Sequence, residues 1–195
     1  CLPALPAAVT GFGLLEAATA GAAVTYRSKT CGQAATGSIT LATPTGAAAG
    51  DVLVASMSYA GETGSAPTPS GWTQVPNLRA SYGANQELVT WYRVLSTAPA
   101  ANYSFPGGTG ADVVSVSLTA FRGVDPGAPI AGTPAQTIVG SLVTSGNFPN
   151  SSGTAVGSMR YSAIGIDDGS TTTFGAGLTA WAGSQARRRC RSGRG

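Results

Sequence analysis

The 195-residue chain contains no histidine. That absence removes the usual general base, the commonest metal ligand and the side chain that titrates near neutral pH. Ser-His-Asp and Cys-His nucleophilic catalysis are excluded with it. Charge is scarce as well: charged residues make up 10%, against about 25% in a typical domain. Solubility therefore rests on Ser, Thr, Gly and Asn. No apolar run is long or continuous enough to span a membrane. The nearest candidate, residues 1–23, is interrupted by Pro3, Pro6, Gly11 and Gly13. The three cysteines, Cys1, Cys31 and Cys190, fit no zinc or redox spacing. An odd count allows one disulfide and a leftover thiol. A Cys1–Cys31 bond would staple the N-terminal segment to the domain, and three unpaired thiols are the bland alternative.

What is present is enough for a core. Apolar residues make up 43%, so the composition is not that of a disordered chain, and the length suffices to bury a core without disulfides. The net charge of +3 misleads, because Arg187, Arg188, Arg189, Arg191 and Arg194 crowd the C-terminus. The other six basic residues face eight acidic ones, leaving the body at about −2. Residues 183–195 read as a solvated basic tail, not a nucleic-acid-binding face, since no aromatics interleave the arginines. Residues 1–23 read as an apolar linker or signal remnant: Ala18-Thr19-Ala20 resembles a signal-peptidase site, though no basic segment precedes it and Glu16 interrupts the apolar stretch. A strand donated to a neighbour is the other reading of this segment.

From about residue 36 the pattern becomes short strands between Gly, Pro, Ser and Thr punctuation. Strands are predicted over 38–42, 51–60, 72–75, 86–95, 111–122, 136–143 and 154–166. Asp168-Gly169 predicts a tight turn into another at 171–174. In 51–60, Leu53, Ala55, Met57 and Tyr59 share one face and Ser56 and Ser58 the other. Residues 86–95 are apolar on both faces, which predicts a strand covered twice. In 111–122, Val114, Val116, Leu118 and Ala120 are expected inside, with Ser115, Ser117 and Thr119 facing water. The only helical pattern, over 14–20, is weak. A faint repeat relates 52–59 and Ser70-Gly71-Trp72-Thr73 to 160–166 and Ala176-Gly177-Leu178-Thr179. These features predict an all-β fold: a two-sheet antiparallel β-sandwich over residues 24–182, with about eight strands and irregular termini.

Six segments occur in a telling order. They are Ala48-Ala49-Gly50-Asp51-Val52-Leu53-Val54-Ala55, Pro69-Ser70-Gly71-Trp72-Thr73, Trp91-Tyr92-Arg93-Val94, Asn102-Tyr103-Ser104-Phe105, Ala120-Phe121-Arg122-Gly123-Val124-Asp125 and Pro129-Ile130. Together they resemble a β-sandwich module of bacterial secreted and surface proteins and of tail proteins of phages that infect actinobacteria. The resemblance spans roughly residues 25–182. It implies a jelly-roll-like sandwich with binding or adhesive roles in multidomain surface proteins, and it supplies no catalytic set. Residues 1–20 lie outside its pattern, and beyond Trp181 the chain is shorter than that pattern.

Candidate chemistry is thin. Asp167 and Asp168 are adjacent, so in a strand they point opposite ways. They lead into a turn; a calcium loop is the sharper reading, but their spacing matches no EF-hand. Asp51, opening a strand after Gly50, reads as a turn carboxylate accepting backbone N–H groups. Asp125-Pro126-Gly127 reads as a turn. Trp91 is expected in the core. Sugar-binding modules stack rings on exposed aromatics, which makes Tyr82, Trp72, Asn85 and Glu62 the candidate ligand-binding residues. Of these Tyr82 is the best exposed candidate, while Trp72, after Ser-Gly, reads more readily as core. The loops at 61–70 and 77–86 would carry the affinity. No catalytic residue, cofactor or metal is expected.

The sequence thus predicts a non-enzymatic extracellular binding or adhesion module, glycan-facing, of a secreted, surface or virion-tail protein. Its expected partner is a glycan or cell-surface polymer, without specific nucleic-acid binding. One rival is a structural subunit of a filament or virion that self-associates by strand donation. The other is a hydrolase, which needs carboxylates among Asp51, Asp112 and Glu87 to converge.

Overall fold

Alternation in the densest apolar segments builds the centre of the fold. In a computed structural model the chain is described over residues 8–15, 23–82, 85–111, 113–139 and 159–166. Within them it is all-β, with ten strands. These are β1 (Ala8–Leu15), β2 (Thr25–Ala34), β3 (Ser38–Ala42), β4 (Val52–Ala60), β5 (Thr73–Tyr82), β6 (Gln86–Val94), β7 (Asn102–Pro106), β8 (Val113–Arg122), β9 (Ile130–Val139) and β10 (Met159–Ile166). The strands form antiparallel sheets ordered β2-β8-β4-β6-β5, β3-β7 and β10-β1-β9. The pairs β2–β8, β3–β7 and β4–β6 are nested, each enclosed in sequence by the last.

The predicted sandwich stands, with layers on both faces of the five-stranded sheet. On one face, Leu53, Ala55, Met57 and Tyr59 of β4 meet Val114, Val116, Leu118 and Ala120 of β8 and Val89 and Trp91 of β6. Ile39, Leu41, Tyr103 and Phe105 of the β3–β7 pair close over them. Trp72 is set edge-on to Tyr103 and Phe105, with centroids 5.5 and 5.3 Å away, and Trp91 stacks on Phe105 at 6.4 Å. Such pairs contribute about 0.5–1.5 kcal/mol each beyond area burial. Arg93 lies over the Tyr103 ring at 5.4 Å and donates to the Ser70 carbonyl at 3.2 Å. It passes so close to Gly71 (φ 76°) that a Cβ there would sit 2.5 Å from Nη1. The positive φ is what favours glycine in the turn before Trp72, since the Arg93 side chain could swing aside from a Cβ.

The opposite face corrects one expectation. Ser115, Ser117 and Thr119 do not face water: they are 5%, 7% and 1% exposed, and Ser56 and Thr90 are buried with them. The sheet β10-β1-β9 lies over this face. Leu15 and Tyr161 from the covering sheet join Val24, Val52, Val54, Phe121 and Val124 in a second apolar cluster. Alternation alone cannot distinguish hydroxyls that meet water from hydroxyls that meet one another. Here Tyr161 donates to Ser56 Oγ at 3.0 Å, and Ser56 pairs with Thr90 at 2.8 Å. Ser56, Thr90 and Tyr161 are thereby linked across the layers, which offsets part of their desolvation.

Several boundaries move. Residues 8–15, within the segment read as linker or signal remnant, form β1. The short strand predicted at 72–75 runs on to Tyr82, because Asn77 adopts a left-handed φ of 59° and lets the chain bulge. Pairing shifts between Gln74 and Arg79; Val75 and Leu78 point inward while Pro76 and Asn77 stay exposed. A proline at a bulge on the last strand of the sheet has no ladder N–H to lose. The loop expected at 77–86 is thus mostly strand, as are β2 and β7, which were not predicted. Residues 136–143 were predicted as a strand, but β9 starts at Ile130. The weak helix over 14–20 is not seen in its described part, where Leu14 and Leu15 belong to β1. No described helix is long and apolar enough to cross a membrane.

Burial in the hydroxyl layer raises the Tyr161 pKa above its ordinary value, and the neighbouring Ser56 and Ser117 hydroxyls partly oppose the rise. A phenol with a raised folded-state pKa stabilises fully below pH about 10, and this contribution is lost as pH climbs through the folded value. Tyr161→Phe should flatten the alkaline fall in stability, by up to about 1.4 kcal/mol per pH unit. Urea unfolding between neutral and strongly alkaline pH measures this. An unchanged alkaline slope would show that Tyr161 ionises freely in the folded protein.

Candidate functional site

The strongest polar construction in the fold begins with a misplaced charge. Glu87 opens β6 on the face that its strand-mates Val89 and Trp91 give to the core, and it is 1% exposed. An unpaired buried carboxylate would cost several kcal/mol. Three partners meet it. Arg79 Nε of β5 lies 2.8 Å from Oε1, the Tyr59 hydroxyl of β4 lies 3.0 Å from Oε2, and the Gly64 N–H donates to the same oxygen. Register brings them together: Glu87 is directly opposite Tyr59 on one side and Ser81 on the other.

The same side chains reach outward and hold a loop. Arg79 donates to the Gly64 carbonyl at 3.2 Å and the Ala66 carbonyl at 2.5 Å. The Tyr59 hydroxyl accepts from Ala66 N at 3.2 Å and also lies 3.1 Å from the Glu62 carbonyl. Its one proton serves one acceptor at a time, and the charged Glu87 oxygen is the stronger. Burial raises the Tyr59 pKa, and the Glu87 charge adds to the rise while bonds with Ser65 and Ala66 oppose it.

Two further segments bond to this loop, and a third bonds to one of them. Gly61 N donates to the Asn85 carbonyl at 2.7 Å, Glu62 N to the Thr109 carbonyl at 2.9 Å, and Thr109 N to Ser65 Oγ at 2.8 Å. Gly107 N donates to the Gly37 carbonyl at 2.9 Å. Packing is close here: a Cβ on Gly107 would sit 2.4 Å from that carbonyl, and one on Gly108 would sit 2.3 Å from the Ser65 side-chain oxygen. One end of the sandwich thus carries a rim made from residues 35–37, 61–66, 85 and 107–111.

The rim brings together two of the four predicted ligand residues. Glu62 and Asn85 are exposed there, joined through the Gly61–Asn85 bond. The Tyr82 backbone pairs with Gln86 at the same hairpin end, while its side chain lies outside the described residues. Trp72 is elsewhere. At 7% exposure, with its ring edge-on to Tyr103 and Phe105, it belongs to the core and offers no stacking platform. No described aromatic side chain is fully exposed; Tyr26 and Tyr92 come nearest and pack on the second cluster. The sequence reading missed Arg79 and the bracing role of Glu87. The signal available was a lone carboxylate at an inward parity position.

Asp51 makes the corresponding construction at the other end. It is 1% exposed and accepts from Ala48 N at 2.9 Å, the turn role expected of it, and Arg27 Nε lies 2.7 Å away. Asp51 and Glu87 do not converge. Glu87 faces Tyr59, eight residues along β4 from Asp51, or about 26 Å of strand. Asp125 caps its turn by accepting from Gly127 N at 2.8 Å. No metal-holding cluster of acidic residues or cysteines occurs among the described residues. Asp112, Asp167, Asp168, Trp181, Cys1, Cys190 and the arginine tail lie outside the described residues. Cys31, in β2, is disulfide-bonded. No family model, curated protein or solved structure matches the chain.

The two ends of the Arg79–Glu87 pair should respond unequally to substitution. Arg79→Met strands a buried carboxylate and is expected to cost about 3–5 kcal/mol. Glu87→Gln keeps an acceptor for Tyr59 and Gly64 and leaves Arg79, 26% exposed, with its carbonyl partners. Its expected cost is about 1–3 kcal/mol. Chemical denaturation ranks the two, and the reverse order would refute a buried, arginine-compensated Glu87.

Proposed function

We propose that this chain is a non-catalytic binding or display module of a secreted, cell-surface or virion-tail protein. Its contact surface is the rim of residues 61–66, 85 and 107–111 together with the hairpin end at Tyr82. One observation carries the reading: a buried carboxylate with its arginine partner and a buried tyrosine are committed to holding an exposed loop in one shape. A loop that must be pre-ordered for a partner gains from such a brace, because the ordering entropy is already spent before binding.

The chemistry of the rim suggests the class of partner. Its exposed groups are the Glu62 carboxylate, the Asn85 amide, the Thr36 and Thr109 hydroxyls and glycine backbone. Such a surface is nearly neutral and rich in donors and acceptors. It suits a hydroxyl-rich polymer such as a glycan, with Tyr82 as the aromatic contact.

Membership in the bacterial surface and phage-tail family belongs to this proposal, as does the jelly-roll-like winding. The nested pairs β2–β8, β3–β7 and β4–β6 support that winding, since a long hairpin rolled on itself pairs its strands in this order. The matching segments lie in framework strands and turns, leaving the loops to differ in what they bind.

A glycan and cell-wall-polymer binding screen with the full chain tests the function. Wild type should bind at least one polymer. Tyr82→Ala and the pair Glu62→Gln/Asn85→Ala should each weaken that binding by about tenfold or more with an unchanged melting temperature. Absence of binding to any polymer, or binding indifferent to all three substitutions, would remove the rim as the contact surface.

A further inference from the structure

β1 is the first of the described strands, yet it is the middle strand of its sheet. All eight residues Ala8–Leu15 pair with β10, and seven of them also pair with β9. β9 and β10 both run antiparallel to β1 and are neighbours of it, not of each other. They form a slot one strand wide, with edges satisfied by the main chain of whatever strand enters. Recognition through backbone ladders is the physics by which sheets accept an added strand.

The covalent tie of β1 to the body permits exchange. Only residues 16–24 join it to β2. Leu15 and Val24 belong to the same buried cluster, so the connection within one chain closes a short gap. Eight intervening residues can reach about 30 Å when extended, far more than that gap needs. The face under this sheet carries the hydroxyls of Ser56, Thr90, Ser115, Ser117 and Thr119, and Leu15 at the end of β1 is buried in the second apolar cluster, so a strand entering the slot must also seat a leucine there.

We infer that β1 is an exchangeable strand, and that the slot between β9 and β10 accepts β1 from a second copy of this chain. Identical ladders form within one chain and between two, so chain concentration sets the balance. Reciprocal exchange closes a dimer, and one-way exchange propagates a chain of subunits. The inference stands apart from the rim reading: a rim that binds no polymer leaves it untouched, and a β1 that never leaves its own chain leaves the rim reading untouched.

The register supplies the test. Thr10 is directly opposite Thr137 across β1 and β9, a spacing that suits a disulfide. Full-length Thr10→Cys chains and full-length Thr137→Cys chains are refolded together at rising concentration under oxidising conditions. Peptide mapping by mass spectrometry then separates a 10–137 link from any bond made by the native cysteines. Exchange predicts a link joining the two kinds of chain, a covalent species of twice the chain mass, and a yield that rises with concentration. The double variant Thr10→Cys/Thr137→Cys is the control. If it links within one chain while the mixture never links, β1 is confined to its own chain and the inference is wrong. If neither links, β1 does not occupy the slot and the inference falls with its premise.

Discussion

The five-stranded sheet β2-β8-β4-β6-β5 is covered on both faces, and the rest of the molecule follows from that constraint. A sheet buried once can send every second residue to water. A sheet buried twice must satisfy both sets of side chains internally. This protein solves the two faces differently. One takes the large apolar and aromatic side chains and packs them under β3 and β7. The other takes short hydroxyls, pairs some of them with one another and with Tyr161, and closes them under β10-β1-β9.

Two-sided burial also explains where the charges went. The described body has few of them, and both of its most buried carboxylates sit at strand starts: Asp51 just before β4 and Glu87 within the first turn of pairing of β6. At those places an arginine from the same sheet, next door for Arg79 on β5 and across β8 for Arg27 on β2, can reach in while keeping part of its guanidinium near solvent, at 26% exposure each. Each carboxylate also accepts a backbone N–H from an adjoining loop. The two pairs therefore anchor loops at opposite ends of the sandwich. The Glu87 pair organises the wider of the two constructions, because Tyr59 and the close-packed glycines extend its hold to residues 107–111.

The ordered segments that suggested a family have a common physical meaning. Asp51 of the first anchors a turn. Gly71 and Trp72 of the second, Trp91 and Arg93 of the third, and Tyr103 and Phe105 of the fourth meet in one aromatic cluster. These residues specify a core and its turns. They account for the fold being legible, and for the function being far less so, since the loops at the rim carry none of these segments. Glu62 and Asn85 could be named from exposure-prone loop composition. That they adjoin each other, and that Trp72 stands apart from them, depends on pairing across strands far apart in sequence.

Local pattern was sufficient for the strong strands. The alternation in β4, the two-sided apolar character of β6 and the inward set Val114, Val116, Leu118 and Ala120 of β8 were readable because a strand's period of two projects burial directly onto sequence. The weaker strands were not readable. β1 and β2 are too interrupted or too polar to reveal themselves, and β5 hides a bulge at Asn77. Composition and strand periodicity were enough to read an all-β, histidine-free chain with one heavily apolar sheet face. Tertiary structure alone decided that Ser56, Thr90, Ser115, Ser117 and Thr119 are interior, that Glu87 braces a loop, and that β1 sits between β9 and β10. The physical reason is that a side chain's polarity states what it needs, while only the arrangement of distant strands states whether water or another side chain supplies it.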